Sequence, residues 1–187
     1  FSSTNMEFFQ DGDYLYLIGG YGYSNTAADH ITYPKLTSVK VPDVINAIIN
    51  VNSFSTFFRQ ITDQQFAVTG GYLNKIYNTF YLTGGQRFDG RYNPMGPDHG
   101  PGFSQIYTNA IRRFKINDDG INLSVTHLPS IIDAAHLHRR DYNVVPQIMP
   151  TRQEGLTAFS GVFQVNTDLP FLNSVNIDSA GYHVNNV

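Results

Sequence analysis

Three times along this chain an apolar strand-like run ends in a pair of small residues, and each time a second strand-like run follows after an intervening stretch. The first pass reads Tyr14-Leu15-Tyr16-Leu17-Ile18-Gly19-Gly20, then Leu36-Thr37-Ser38-Val39-Lys40-Val41. The second reads Phe80-Tyr81-Leu82-Thr83-Gly84-Gly85, then Asn109-Ala110-Ile111-Arg112-Arg113-Phe114. The third reads Leu156-Thr157-Ala158-Phe159-Ser160-Gly161, then Leu172-Asn173-Ser174-Val175-Asn176-Ile177. Recurrence of one strand unit constrains architecture more strongly than any single residue does, because each unit must bury its faces against its neighbours.

Each pass holds up to four strands. The first places them at Met6–Gln10, Tyr14–Gly19, Leu36–Val41 and Phe54–Ile61, with Asp11-Gly12-Asp13 turning the first hairpin, since an Asp-Gly step flanked by strand residues is a strong hairpin signal. The second places them at Phe66–Thr69, Thr79–Gly84, Gln105–Ile116 and Ile121–Leu128, with a turn at Asn117-Asp118-Asp119-Gly120. The third supplies Tyr142–Met149, Leu156–Gly161 and Leu172–Ile177, and is expected to stop before a fourth strand. Helix signals are poor. Pro42 and the β-branched residues favour extended chain over Val44–Val51, and Ser130–His138 is the best candidate for a helical turn. Gln86–Gly102, rich in Gly, Pro and Asp, reads as a long surface loop.

Composition supports this reading. Of the 187 residues, 41% are hydrophobic and 14% charged, which is too apolar for a disordered chain. Twelve Tyr and 14 Phe, with no Trp, lean the chain towards pleated, half-buried surfaces. The net charge is −3, and the 12 Lys and Arg are spread along the chain. Nucleic acid and anionic membrane surfaces are therefore not expected as partners. No apolar stretch approaches the ~20 residues of a membrane-spanning helix. The absence of Cys excludes disulfides, thiolate metal sites and cysteine nucleophiles.

Four-stranded units with Gly-Gly closing the second strand resemble kelch repeats, carried here by Gly19-Gly20, Gly84-Gly85 and, in altered form, Ser160-Gly161. The units are longer than the ~50-residue kelch period, which implies enlarged loops. The Trp usual near the last strand is missing, and Phe57 or Phe58 would fill its volume in the first pass. Tyr33 and Tyr107 would stand for the usual Tyr after the doublet. The resemblance implies an all-β fold: about three four-stranded antiparallel blades of a larger β-propeller, with repeats at about 3–63, 64–133 and 138–187, the last incomplete. Residues 1–187 would be part of one propeller domain. Because propellers close with ~4–8 blades, further polypeptide would complete the ring. The Tyr-, Asn- and Thr-rich texture is also similar to that of kelch-like proteins exported by bacteria, which implies an extracellular or cell-surface location.

Candidate chemistry is sparse. His136-x-His138, with Asp133 and Asp141 nearby, could supply metal ligands, but a polar connection with solvated imidazoles is the simpler reading. Asp118-Asp119-Gly120 lacks the alternating oxygen ligands of a calcium loop and reads as a hairpin turn. Asp89-Gly90 and Asp98-His99-Gly100 lie on the long loop and suit either a ligand or turn chemistry. No Gly-x-Ser-x-Gly occurs, and a kelch-type copper-radical site would need a cysteine. Glu occurs only at positions 7 and 154, so no carboxylate pair stands out for glycoside hydrolysis. Arg139, Arg140 and Asp141 are expected to clamp neighbouring blades by charge-assisted hydrogen bonds, as are Arg152 and Glu154. No cofactor or metal is expected. The leading expectation is a non-catalytic module that binds a protein or a glycan through loops at one face. The alternative is a carbohydrate-active enzyme with its site on that face.

Overall fold

The computed structural model of the chain describes residues 3–92 and 102–186. The chain falls into two compact units. Unit 1 comprises Phe1–Thr69, Arg87–Ile106 and Asn117–Val125, and unit 2 comprises Gly70–Gln86, Tyr107–Ile116 and Thr126–Val187. With 59% strand and 9% helix, the fold is all-β.

In unit 1 the chain runs through β1 (Glu7–Asp11), β2 (Tyr14–Ile18), β3 (Tyr21–Ser24), β4 (Asp29–Thr32), β5 (Pro34–Lys40), helix α1 (Val41–Ile49) and β6 (Phe58–Ala67). The order β1-β2-β5-β6 makes an antiparallel meander, and β3-β4 forms a separate hairpin inserted between its second and third strands. Pairing of Asp11 with Tyr14 leaves Gly12-Asp13 as a two-residue turn, as the Asp-Gly signal demands. Alternation sets the faces: Tyr16, Ile18, Leu36 and Ser38 are buried on one side of the sheet.

The same plan is repeated twice. β7 (Tyr72–Ile76), β8 (Thr79–Thr83), β11 (Ala110–Asp118) and β12 (Leu123–Ile132) form the second sheet, in the order β12-β11-β8-β7, and the pair β9 (Gln86–Gly90) and β10 (Phe103–Tyr107) is again inserted after the second strand. A short helix, α2 (Ala134–Leu137), leads to the third sheet: β13 (Arg140–Ile148), β14 (Glu154–Val162), β15 (Ser174–Ile177) and β16 (Tyr182–Asn185), in chain order. Here too the long connection lies between the second and third strands.

One hydrogen bond recurs at the neck of all three insertions. The carbonyl of the second small residue accepts the N–H of the residue on which the chain returns: Gly20 from Tyr33 at 2.9 Å, Gly85 from Thr108 at 3.0 Å, and Gly161 from Phe171 at 2.8 Å. The doublets that define the sequence repeat are therefore the gates of the insertions.

In unit 2 the second and third sheets pack face to face. Ile76, Tyr81 and Ile111 meet Tyr142, Val144, Leu156, Ala158, Val175 and Ile177, with Leu137 of α2 in the same core. These residues alternate along their strands, so each sheet gives one apolar face to the other. Tyr142 Oη donates to the Thr83 carbonyl at 2.8 Å, and Tyr72 Oη donates to the Tyr142 carbonyl at 2.7 Å.

Several sequence expectations need correction. The third pass does have a fourth strand, Tyr182–Asn185, whose Val184 pairs with Val175. Its single apolar position, between polar neighbours, gave too short a pattern to read. Val44–Val51 is not extended: α1 forms because Pro42 sits in its first turn, where the missing N–H has no intrahelical partner to lose, and Asp43 pairs with Lys40 at 2.9 Å. The fourth strand of the first sheet is Phe58–Ala67 rather than Phe54–Ile61, so Phe66 and Ala67 close the first sheet, and the second opens at Tyr72. The boundary between the first two repeats accordingly falls after Ala67, not at 63. The run Gln105–Ile116 is two strands, broken at Asn109, whose φ of 51° turns the chain. Helix in Ser130–His138 is confined to Ala134–Leu137, with β12 extending to Ile132.

Candidate functional site

In unit 1 the β3-β4 and β9-β10 insertions lock together. Thr32 is the pin: its buried hydroxyl donates to the Phe88 carbonyl at 2.6 Å and accepts from the Phe88 N–H at 2.7 Å, while its own N–H donates to Asp89 Oδ1 at 3.1 Å. Tyr21 adds a second tie, with Oη donating to the Gly90 carbonyl and accepting from Tyr92 N–H at 3.1 Å. Asp89 is held from the other side by Arg87 Nε at 2.6 Å.

Over this framework lies a continuous set of rings. Phe88 is buried, stacks on Phe103 at 4.6 Å, and meets Tyr21 edge-on at 5.1 Å and Tyr92 at 5.6 Å. His30 stacks on Tyr21 at 5.7 Å and meets Tyr23 edge-on at 5.3 Å. The outer members face solvent: Tyr23 is 48% exposed and Tyr92 54%. Rings pinned from behind and bare in front are pre-ordered for contact, because a tyrosine brings apolar area and a hydrogen-bonding tip at small entropic cost. Composition had signalled abundant Tyr, but only pairing of two hairpins far apart in sequence brings these rings together.

The acidic turn Asp118-Asp119-Gly120 divides its labour. Asp119 is a turn residue: Oδ1 accepts from Ile121 and Asn122 N–H, and Oδ2 from Asn122 Nδ2, which lowers its pKa to about 2. Asp118 is a tie within unit 1. Its carboxylate accepts from Ser38 Oγ at 2.6 Å, from Gly120 N–H at 3.0 Å, and from both terminal nitrogens of Arg59. Burial alone would raise its pKa, but these hydrogen bonds, Arg59's first, outweigh it and hold the carboxyl below its ordinary value. Arg59 also lies over the Tyr14 ring at 5.3 Å.

In unit 2 the residues singled out by the sequence are placed differently from the expectation. Arg139, 2% exposed, donates to neutral acceptors among the described residues. Nε donates to the His136 carbonyl at 2.6 Å and Nη1 to the carbonyls of Ser160 at 2.7 Å and Asn173 at 3.1 Å; Nη2 donates to Asn173 Oδ1, and the guanidinium lies 4.1 Å over Phe171. Burial lowers its pKa to about 10. It braces the insertion of its own sheet, and does so through carbonyls rather than through Asp141. Arg140 caps the Phe163 ring at 4.3 Å and approaches Asp141 at 3.5 Å at the surface, where the Asp141 side chain is 71% exposed. Glu154 accepts from the Tyr77 N–H at 3.5 Å.

His136 and His138 do not converge. His136 Nδ1 is 2.7 Å from Asp133 Oδ2, and that oxygen also accepts from Tyr182 Oη at 2.9 Å. Asp133 Oδ1 caps α2 through the N–H groups of Ala135 and His136. His138 stacks on Tyr107 at 3.9 Å, Nδ1 meets Asn109 Oδ1 at 2.8 Å, and burial lowers its pKa. Among the described residues no group of three His, Cys, Asp or Glu could hold a metal ion. Asp98-His99-Gly100 lies outside the described residues. Among the described residues, no helix is long and apolar enough to cross a membrane.

No family model matches the sequence, and no curated protein matches it. Among solved structures, one similar in fold is a chain in the cryo-EM structure of RAG in complex with one melted RSS and one unmelted RSS. It aligns over 93% of this chain with a TM-score of 0.54 at 12% identity. The present chain spans 43% of the length of that one.

Proposed function

We propose that the three sheets are successive blades of a kelch-type β-propeller, and that the protein is a non-catalytic module whose inserted hairpins bind a protein or glycan partner. The observation that carries this reading is the shared gate: in each sheet the insertion leaves after the second strand and is closed on the same carbonyl, at Gly20, Gly85 and Gly161. A plan that fixes the sheets and varies one connection is how scaffolds present recognition loops. Further sheets, supplied by additional polypeptide, would cover the outer faces of the set.

Binding is favoured over carbohydrate hydrolysis by what the hairpin surface offers. Its Asp89 is tied to Arg87 and to the Thr32 N–H, an arrangement that builds the surface rather than leaving a carboxylate for acid–base work. The exposed groups are Tyr23 and Tyr92, with half-buried His30 between Tyr21 and Tyr23, and they suit stacking on a sugar ring or packing against a protein. The test is a screen of the wild-type protein on glycan and peptide arrays, repeated with Tyr23→Ala and Tyr92→Ala. The reading expects a ligand whose binding weakens about tenfold or more in both variants, with unchanged melting temperature. Binding indifferent to both substitutions, or cleavage of an array glycan, would overturn it.

A further inference from the structure

We infer that the insertion of the third sheet forms a second recognition site, a cleft that takes an uncharged, extended peptide segment by one backbone amide and one apolar side chain. It goes beyond the hairpin surface of unit 1 and lies wholly in unit 2. An open cavity of about 380 Å³ is lined by Gln164, Leu169, Pro170, Leu172, Asn173 and Asn186. That volume lies at the small end of ligand sites and fits a short segment rather than a large cofactor.

The walls of this cleft are built, not loose. Thr167 N–H donates to the Gln164 carbonyl at 3.1 Å, Phe171 N–H closes the neck on Gly161, and buried Arg139 holds Asn173 through two acceptors while covering Phe171. Yet Leu169 is 58% exposed and Leu172 80%.

Two amides in this cleft have their orientations dictated by their partners. Arginine has only donors, so the Asn173 oxygen must be the atom facing Arg139. Its Nδ2, with no hydrogen bond among the described residues, remains as a donor for a ligand. The neighbouring cation draws charge from the Asn173 oxygen and strengthens that donor. Gln164 is fixed in the opposite sense: Nε2 donates to the Pro170 carbonyl at 2.8 Å, which leaves Oε1 as an acceptor. One oriented donor and one oriented acceptor, beside two exposed leucines, match the C=O and N–H of a peptide and a neighbouring aliphatic side chain. Among the described residues, those lining the cleft include no aromatic ring, the usual platform for a sugar, and no charged side chain.

The experiment titrates the full chain with a capped Ala-Leu-Ala peptide, following the side-chain amide resonances of Asn173 and Gln164 by NMR. In Asn173→Asp the carboxylate keeps Arg139 as partner, as an ion pair, but offers no donor, so the fold is retained while the ligand's carbonyl loses its bond. The expected result is a shift of both amides in the wild type, with binding about tenfold weaker in Asn173→Asp and in Leu172→Ala at undiminished melting temperature. An ester analogue lacking the N–H that Gln164 would accept weakens similarly. Tyr23→Ala leaves this titration unchanged whatever becomes of the hairpin surface, so the two readings fail separately. Unshifted amides at millimolar peptide, full binding by Asn173→Asp or by the ester, or preference for a glycan over the peptide would each overturn the inference.

Discussion

The three small-residue gates look alike in sequence, but they are not under the same constraint. Gly19 in unit 1 and Gly84 in unit 2 have φ of 64° and 61°, and both are buried. A Cβ at Gly19 would fall on the backbone carbonyl of Val68, and one at Gly84 on the hydroxyl of Tyr142. Ser160, at the corresponding point of the third sheet, has φ 66° and is exposed. The contrast separates two reasons for glycine that a sequence motif merges. Left-handed backbone alone costs a serine roughly 1–2 kcal/mol and is tolerated. What cannot be tolerated is a neighbouring segment crossing where the Cβ would stand.

This contrast is broken most sharply at Gly19. Gly19→Ala combines a left-handed alanine with overlap against backbone that has no rotamer to yield, so a loss of roughly 3–5 kcal/mol is expected in denaturant unfolding. Gly84→Ala should cost less, because the obstacle is the far end of a side chain. Its cost should fall further in a Tyr142→Phe background, where the obstructing hydroxyl and its bond to Thr83 are gone. If Gly84→Ala costs the same in both backgrounds, the crossing is not what fixes the glycine.

The units also differ in the chemistry of their ties. Unit 1 uses the carboxylate of Asp118 on Ser38 and Arg59, whereas unit 2 uses the Tyr142 hydroxyl on a carbonyl. Asp118 has its pKa depressed in the folded state, so its contribution is present above the ordinary carboxyl value of 3.8 and is lost as pH falls through the depressed value. Asp118→Asn should therefore destabilise by about 1–3 kcal/mol at pH 6. In thermal melts the gap to wild type should close as pH drops well below 3.8. A gap that stays constant with pH would mean the tie is not ionic.

The smallest effect is expected at Ser160→Gly, which relieves a left-handed serine at an exposed position. A gain of about 0.4–1 kcal/mol in unfolding free energy is expected. A loss would show that the Ser160 side chain does something its exposure hides.

The strands with strong local signals were legible. β2 and β8 are short apolar runs, β14 is built around Leu156–Phe159, and the hairpin β1-β2 is written in Asp11-Gly12-Asp13. α1 was missed because its local preference is for extended chain, and Pro42 at the helix start had to outweigh that. β7 and β16 were missed because Asn74, Lys75, His183 and Asn185 interrupt them, although Leu73, Ile76 and Val184 have packed positions. The site was less legible still. The partners of Thr32 lie more than fifty residues away, and those of Arg139 are backbone carbonyls, which no side-chain pattern announces.

A threefold strand unit gated by small residues is written in the local order of the chain, because alternation and glycine act over a few neighbouring positions. Packing between remote segments settled which doublets need glycine, that Arg139 braces a loop rather than pairing with Asp141, and which atoms of the Asn173 and Gln164 amides are taken up by Arg139 and the Pro170 carbonyl. Those outcomes depend on the chain segment that comes to lie against each group, and that approach is set by packing between elements remote from one another along the backbone.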